Sequence, residues 1–241
     1  MNIFYASKLD VGSDEYKMDD SEWHHCHKVM RLGMNDAIHF FTGDGTLRYG
    51  KIVSANKNFG TVSMTEIIRQ EPYPTRKGIA IAPTKNMSRI EWMVEKGVEI
   101  GVTDFIFFQS QHSERTHLKQ DRLQKILLSA VKQSLKLFLP SILVDLSFEE
   151  VLYLDGFDAK YIAHCKEDTV PILSVLEGQK PNLVLIGPEG DFSNEEINLA
   201  RKNGLVSVSL GNTRLRTETA GLMAGHFMVI ANEYNFNSNE Q

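Results

Sequence analysis

The chain of 241 residues is poor in cysteine, tryptophan and proline, with two, two and seven of them. Cys26 and Cys165 lie far apart, which argues against a disulfide framework and suits a reducing compartment. No apolar run approaches the roughly 18 residues that a membrane-spanning helix needs. The first ten residues lack the basic start and the apolar core of a signal peptide. We therefore expect a cytoplasmic protein without a membrane segment.

Excess positive charge is also absent, because the formal net charge is −5. Proteins that bind RNA usually carry a basic footprint, so the distribution of charge matters more than its sum. Between Arg115 and Lys136 six basic residues stand against Asp121 alone. This stretch is either a solvated helix face or a track for a phosphate backbone, whose affinity would fall with salt.

The pattern of the chain changes near two prolines, Pro72 and Pro74. The sequence before them is β-rich, with a strong turn signal at Thr42–Gly45. After them strand and helix patterns alternate, which is typical of a mostly parallel sheet with helices on both faces. We expect a β domain over residues 1–72, an α/β domain over residues 73–235 and a loose tail over residues 236–241.

Helix boundaries are predicted from local chemistry. A serine followed three residues later by glutamate is the pattern of a capping box, which begins a helix. A long helix is predicted from Asp121 to Leu139, where Pro140 ends it, and a short one over Ser21–Leu32. Trp23 and Trp92 fall on apolar helix faces and are predicted to be core. The capping-box pairs are Ser88 with Glu91, Ser147 with Glu150, and Ser193 with Glu196.

The segment from Leu183 to Ala220 contains two β-rich runs, each followed by a loop with glycine and then a helix. The first run ends at Gly187–Gly190 and the second, Val206–Leu210, ends at Gly211. This order is a crossover unit of a parallel sheet. Open α/β sheets bind ligands beyond the carboxyl ends of their strands. The sequence therefore predicts a small-molecule site at the two glycine loops.

The same residues carry a resemblance. The letters GPEGDFS, followed by LGNTRLRTETA, resemble the signature of the SPOUT class of RNA methyltransferases. More narrowly they resemble the RsmE family, which methylates N3 of a uridine in small-subunit (16S) ribosomal RNA. Weaker motifs in the same order, HHCHKVMR from His24 and SERT from Ser113, extend the resemblance over nearly the whole chain. The chain departs from the family pattern at Lys132, Lys136 and Asp191, where the family has Glu, Arg and Gly.

The resemblance implies an α/β fold with a C-terminal SPOUT trefoil-knot domain and a small N-terminal β-barrel that is PUA-like or OB-like. It implies S-adenosylmethionine as cofactor and a homodimer. It also implies ribosomal RNA, free or in the assembled small subunit, as partner. Its cofactor-binding residues are Ile186, Gly187, Pro188, Glu189, Gly190, Leu210, Gly211, Leu215 and Thr217.

Methylation of a uridine at N3 requires removal of a weakly acidic proton. Arg216 is the candidate catalytic donor to the developing oxyanion, and Glu189 is a weaker candidate for the base. Glu218 has two interpretations, as a base or as a residue that stabilises the N-terminus of the last helix. The candidate RNA-binding residues are His25, Arg31, Lys85, Arg115, Lys132, Lys136 and Arg214.

Several alternatives stay open. The chain would also fit a SPOUT methyltransferase acting on tRNA or on a ribose 2′-OH, a non-catalytic RNA-binding ribosome-assembly factor, or a phosphate-binding α/β protein. A metal site at His24–His27 is not expected, because consecutive residues on a helix point in different directions. The sequence leaves two roles open for His164, a structural role and a role at the edge of the cofactor.

Overall fold

The computed structural model describes residues 2–10, 12–73, 75–114 and 118–234. Arg115 and the predicted tail therefore lie outside the described residues. The chain divides into two compact units. The first comprises Met1–Pro72 together with Val131–Leu139, and the second comprises Tyr73–Ala130 and Pro140–Gln241.

A five-stranded sheet forms the first unit, and its order is β1-β3-β4-β5-β2. β1 is parallel to β3, and the other neighbours are antiparallel. The predicted turn at Thr42–Gly45 is confirmed, with Gly43 and Gly45 at φ of 89° and 94°. The strands are β1 (Ile3–Tyr5), β2 (Glu15–Lys17), β3 (Ala37–Phe41), β4 (Thr46–Ala55) and β5 (Gly60–Arg69).

The helix predicted over Ser21–Leu32 is shorter and less regular than expected. It consists of α1 (Asp20–His24) and a π-helical turn over His25–Val29. Burial, with smaller contributions from Asp36 and Glu22, raises the pKa of the Cys26 thiol to about 11. The His27 ring stacks on Trp23 at 4.9 Å. Among the residues that the structure describes, no three potential metal ligands come together.

The second unit is built on a parallel sheet of seven strands, with the order β10-β12-β9-β11-β6-β7-β8. The predicted mostly parallel sheet is therefore confirmed. β8 was not predicted from the sequence. The strands are β6 (Lys77–Ile81), β7 (Asp104–Gln109), β8 (Ser141–Ser147), β9 (Ala159–Ala163), β10 (Val170–Pro171), β11 (Asn182–Ile186) and β12 (Val206–Ser209).

The helices of this region are α2 (Met87–Ile100), α3 (Gln120–Gln133), α4 (Phe148–Leu152), α5 (Asn194–Lys202) and α6 (Thr217–Tyr234). Capping boxes at Ser147 and Ser193 are confirmed. The one at Ser88 is wrong, because Asn86 is the N-cap and accepts the Ser88 N–H at 3.0 Å.

Two other helix predictions are wrong. α3 ends at Gln133 instead of Leu139, and Leu135 has a left-handed φ of 55°. Burial predicted for Trp92 is wrong, because this side chain on α2 is 43% exposed, whereas Trp23 is 2% exposed as predicted. The spacing of apolar residues along the helix therefore did not distinguish a buried position from an exposed position next to the buried face.

α6 lies close to the sheet through its small residues. A Cβ atom at Gly225 would be 2.7 Å from Val102, and one at Gly221 would be 3.2 Å from Ile81. Glycine at both places lets the α6 backbone approach β6 and its neighbours. This packing fixes the first turn of α6, and with it the end of the loop that follows β12.

Candidate functional site

Four strands of the parallel sheet end side by side. Ala163 of β9 pairs with Ile186 of β11 on one side and with Val208 of β12 on the other. Ile186 also pairs with Ile81 of β6. The loops after these four strands therefore leave the sheet at one edge. The two glycine loops of the sequence, after β11 and β12, flank the end of β9 at this edge.

The loop after β11 is a tight turn. The backbone N–H of Asp191 donates to the carbonyl of Pro188 at 2.9 Å, and Asp191 has a φ of 62°. Gly187 and Pro188 are buried, whereas Glu189 and Gly190 are exposed. The turn therefore presents the backbone of its second half to solvent or to a ligand.

Neighbouring strand ends contact this turn. The Lys85 N–H, after β6, donates to Glu189 Oε1 at 3.4 Å. His112, in the loop after β7, places its Nδ1 2.9 Å from the carbonyl oxygen of Asp191. Glu196 is buried at the start of α5 and accepts the N–H of Gln111 at 2.9 Å. These contacts hold the loops after β6, β7 and β11 against one another.

The loop after β12 is more open. Gly211 has a φ of 125°, and no atom lies within 4 Å of the position that a Cβ would take there. Leu210 and Leu215 are half-buried, and Arg214 and Arg216 are exposed. Within the described ranges the backbone N–H groups from Gly211 to Arg216 have no protein acceptor. This loop therefore offers main-chain donors beside two apolar side chains.

His164 follows Ala163 and lies between the two glycine loops at the end of β9. The ring is buried, and its Nδ1 accepts the Lys166 N–H at 3.3 Å. Its Nε2 is enclosed and has no hydrogen-bond partner in the part of the chain that the structure describes. Burial lowers the pKa of the imidazole, and the charge of Asp191 opposes that shift. His164 is therefore a neutral side chain at neutral pH.

Glu218 is buried, unlike the exposed Arg214 and Arg216. Its carboxylate is buried in the first turn of α6, 3.6 Å from Nε of Arg89 on α2. The other oxygen, Oε2, has no partner among the described residues. Thr217 is buried beside it. This arrangement favours the structural interpretation of Glu218 over the interpretation as a base.

The candidate RNA-binding residues fall into two groups. His25, Arg31, Lys132 and Lys136 belong to the first unit, whereas Lys85 and Arg214 belong to the second. His25 and Arg31 are exposed. Lys132 is engaged within its unit, because its ammonium contacts the Glu22 carboxylate at 2.5 Å and lies 5.9 Å from the centre of the Phe4 ring.

A cavity of about 470 Å³ lies at the start of α3, and its described lining residues do not include those of the glycine loops. The Arg122 side chain there also pairs with Glu91 of α2. The lining is mostly basic and comes from the stretch for which the sequence left two interpretations open, a solvated helix face or a phosphate track. Its residues are Lys119, Gln120, Asp121, Arg122 and Lys125.

Sequence reasoning did not find His112, Gln111 or Cys165 as parts of this region. Their contacts depend on which strands are neighbours in the sheet, and that order is not encoded in local pattern. The available signal was the motif from Ser113, which directly follows His112.

No helix in the described part of the chain is both long and apolar enough to cross a membrane.

Comparison with known proteins gives two matches to family models. An RNA methyltransferase domain matches residues 71–229, and an RNA methyltransferase PUA domain matches residues 19–64. The ribosomal RNA small subunit methyltransferase E of Buchnera aphidicola is 26% identical over 230 residues, covering 92% of this chain and 90% of that protein.

Solved structures give similar results. A probable rRNA-methyltransferase from Porphyromonas gingivalis is 37% identical, with a TM-score of 0.90, covering 97% of this chain and 99% of that one. The ribosomal RNA small subunit methyltransferase E of Neisseria gonorrhoeae, bound to S-adenosyl methionine, is 24% identical with a TM-score of 0.84. It covers 97% of this chain and 98% of that one, and it shares the fold described above.

Proposed function

The chain belongs to the RNA methyltransferase family, and on that premise we propose that it transfers a methyl group from S-adenosylmethionine to N3 of a uridine in small-subunit (16S) ribosomal RNA. One observation carries this proposal. Two glycine loops, after β11 and β12, leave neighbouring strand ends of the parallel sheet, and both lie within the residues that match the family.

The cofactor site that we propose lies at these loops. The free main-chain donors between Gly211 and Arg216 suit the edge of an adenine, and Leu210 and Leu215 suit its faces. The exposed backbone of the other loop, at Glu189 and Gly190, is accessible to a ligand. S-adenosylmethionine supplies an electrophilic methyl group when it is bound there. The protein's contribution is to orient the uridine and to handle its proton.

Arg216 and Glu189 are the residues that we assign to that task. Arg216 is exposed at the end of the loop after β12, where its guanidinium can donate to the oxyanion of a uridine that loses its N3 proton. Glu189 is exposed on the other loop, where it accepts only the long hydrogen bond from Lys85 among the described residues. We prefer Glu189 to Glu218 as the base, because Glu218 is buried beside Arg89.

Basic residues near α3 and in the first unit support contact with RNA. The exposed Lys119 and Lys125, which line the cavity at the start of α3, supply positive charge that a phosphate backbone requires. His25 and Arg31 are exposed in the unit that contains the match to the PUA domain. We propose that both groups bind ribosomal RNA, free or within the assembled small subunit.

We also propose a homodimer in the cytoplasm. Val170, Leu173 and Val206 are about two-fifths exposed, and they lie on or next to the edge strand β10 or on its neighbour β12. Large apolar side chains at a sheet edge favour a protein partner there. Both cysteines are free, which fits a reducing compartment. Light scattering coupled to size exclusion would measure the mass, and a monomer would contradict the dimer.

The reaction is tested with isotopically labelled S-adenosylmethionine and small ribosomal subunits that lack the modification. The RNA is digested after incubation, and the labelled nucleoside is identified by mass spectrometry. Naked 16S RNA and total tRNA are tested as substrates in parallel. Arg216→Ala, purified in the same way, is the matched control that reveals methylation by a contaminating methyltransferase.

Labelled 3-methyluridine from the subunits or the naked 16S RNA is the expected result. Another methylated nucleoside, or label in tRNA, would support a methyltransferase activity but contradict the proposed target. Absence of label together with absence of cofactor binding by calorimetry would favour a non-catalytic RNA-binding protein.

A further inference from the structure

Asp191 has an unusual backbone for its residue type. It follows Gly190 in the loop after β11, and its φ of 62° lies in the left-handed region. Residues with a Cβ are uncommon there, although aspartate tolerates the region better than most. Such a conformation persists when the surrounding structure holds it in place. The contacts of Asp191 show what holds it.

Both oxygens of the Asp191 carboxylate accept backbone N–H groups. Oδ1 accepts the N–H of Phe192 at 2.8 Å, and Oδ2 accepts the N–H of Cys165 at 2.9 Å. The first contact is local. The second joins the loop after β11 to the end of β9, its neighbour in the sheet. Hydrogen bonds to an ionised carboxylate are roughly twice as strong as neutral ones.

The main chain of Asp191 makes two more contacts. Its N–H donates to Pro188 and closes the turn, and its carbonyl oxygen accepts from Nδ1 of His112 at 2.9 Å. His112 also packs on Gly190, where a Cβ would lie 3.2 Å from the Cβ of His112. One residue therefore connects the loops after β11, β9 and β7.

We propose that Asp191 is a positioning residue that holds the Gly187–Gly190 loop in its cofactor-binding conformation before the cofactor arrives. This inference rests on the proposed function, because it takes S-adenosylmethionine as the ligand of the loop. The carboxylate acts through Cys165 and Phe192, and both of its oxygens already accept backbone N–H groups. When the competent loop is only a fraction of the population, the apparent dissociation constant rises by the inverse of that fraction.

The chain contains a matched control for this residue. Asp168 is also an aspartate with a φ of 62°. Its carboxylate makes no hydrogen bond or ion pair within the ranges that the structure describes, and Arg201 binds its backbone oxygen, which a substitution keeps. Asp168→Gly therefore relieves the same backbone strain as Asp191→Gly without removing a tie between loops. Asp191→Asn keeps one acceptor oxygen and a residue type that tolerates the left-handed region.

The first experiment measures amide hydrogen exchange over residues 187–192 and at Cys165 in the absence of any ligand. The second measures the affinity of the protein alone for S-adenosylmethionine by calorimetry. The third separates kcat from the KM for S-adenosylmethionine. Wild type, Asp191→Gly, Asp191→Asn and Asp168→Gly are compared in all three.

Asp191→Gly is expected to speed amide exchange in both segments and to raise the dissociation constant about tenfold, which corresponds to a competent loop in about a tenth of the molecules. Asp191→Asn should lie between this variant and wild type, and Asp168→Gly should match wild type. The KM should follow the dissociation constant, with kcat nearly unchanged.

Unchanged exchange and affinity in Asp191→Gly would overturn the proposal. A fall in kcat with intact affinity would also overturn it, because it would place Asp191 in the chemistry. Weaker binding without faster exchange in the free protein would point instead to direct contact between the carboxylate and the cofactor. Failure of wild type to bind S-adenosylmethionine would remove the proposed function, and the exchange data would still decide whether Asp191 fixes the loop.

Discussion

A Cβ atom at Gly187 would lie 3.1 Å from Cδ2 of Phe192 and 3.2 Å from the backbone nitrogen of the same residue. The Phe192 ring is buried and is stacked on Phe108, with 6.2 Å between ring centres. A backbone atom and a buried ring cannot give way easily. Packing within the protein therefore favours glycine at position 187, in addition to any approach of a ligand.

Gly187→Ala is expected to lower the free energy of unfolding by about 1–3 kcal/mol, the usual range for overpacking a core. Gly33→Ala is the control, because Gly33 has an ordinary φ and no atom within 4 Å of the place that a Cβ would occupy. Urea denaturation measures both. Equal stability of Gly187→Ala and wild type would show that Phe192 can move, and position 187 would then report on the cofactor alone.

Arg216→Ala is expected to lower kcat by about 10²–10³, the usual effect of removing one donor to an oxyanion. Its affinity for S-adenosylmethionine should change little, because the guanidinium is exposed and makes no ion pair among the described residues. Arg214→Ala is the matched control, an exposed arginine two residues away. A kcat near wild type in Arg216→Ala, or equal losses in both variants, would remove Arg216 from the chemistry.

The fold could be predicted where local chemistry determines it. The capping boxes at Ser147 and Ser193 were visible because both partners are three residues apart in sequence. The end of α3 was missed for the opposite reason. Val131–Leu139 packs with the first unit, where Gly45 donates its N–H to the carbonyl of Leu137 at 3.1 Å. Contacts made far along the chain ended the helix before Pro140.

The candidate site shows the same division. The two glycine loops were visible in sequence because each follows a β-rich run directly. The contacts of Asp191 with Cys165 and His112 were not, because they require β9 and β7 to lie near β11 in the sheet. Likewise, the sequence could not distinguish the two interpretations of Glu218. The distance to Arg89, which belongs to another helix, is what favours one of them.

Stability should fall in mild acid through His164. Its pKa is lowered in the folded protein, so the unfolded chain takes up the proton first, at a pKa of about 6.5. The contribution of neutral His164 is complete above that pH and is lost as the pH falls from there towards the folded pKa. The slope stays below about 1.4 kcal/mol per pH unit, which is the limit for the uptake of one proton.

His164→Asn should reduce the fall of stability with decreasing pH, because asparagine does not titrate. Asparagine also keeps an acceptor for the Lys166 N–H. Asp191, Arg201 and Lys166 are the charged groups near the ring, and they stay in place. His226→Asn, at an exposed position of α6, is the control. Thermal unfolding from pH 7.5 to 5 measures the slopes. Parallel curves for wild type and His164→Asn would exclude this histidine as the source.

Arg89→Ala is expected to lower the free energy of unfolding by about 1–3 kcal/mol, because it leaves the buried Glu218 carboxylate without its cation. Because the Arg89 side chain is partly exposed, the expected loss of stability is smaller than the loss for a fully buried pair. Adding Glu218→Gln should restore part of the loss by removing the charge. Arg122→Ala, which breaks a pair with an exposed arginine, should change stability by less than about 1 kcal/mol. Equal effects in the two arginine variants would contradict a structural role for Glu218.

Lys132 and Lys125 were both marked as parts of one basic stretch, yet the structure gives them different surroundings. Lys132 is largely covered and contacts Glu22 and Phe4, whereas Lys125 is exposed and lines the basic cavity. A charge already paired with a carboxylate contributes less to RNA binding than an exposed one. Lys125→Met should therefore weaken RNA binding and reduce the slope of log affinity against log salt by about 1.

Lys132→Met should keep that slope, and it should lower the free energy of unfolding because it leaves Glu22 without its cation. Filter binding of 16S RNA fragments at several salt concentrations measures the slopes, and urea denaturation measures the stability. Each lysine variant serves as the control for the other, since both remove one positive charge from α3. A loss of salt dependence in Lys132→Met with unchanged stability would mean that RNA displaces Glu22 from this lysine on binding. The ion pair between Lys132 and Glu22 would then exist in the free protein and be replaced by a contact between Lys132 and RNA in the complex.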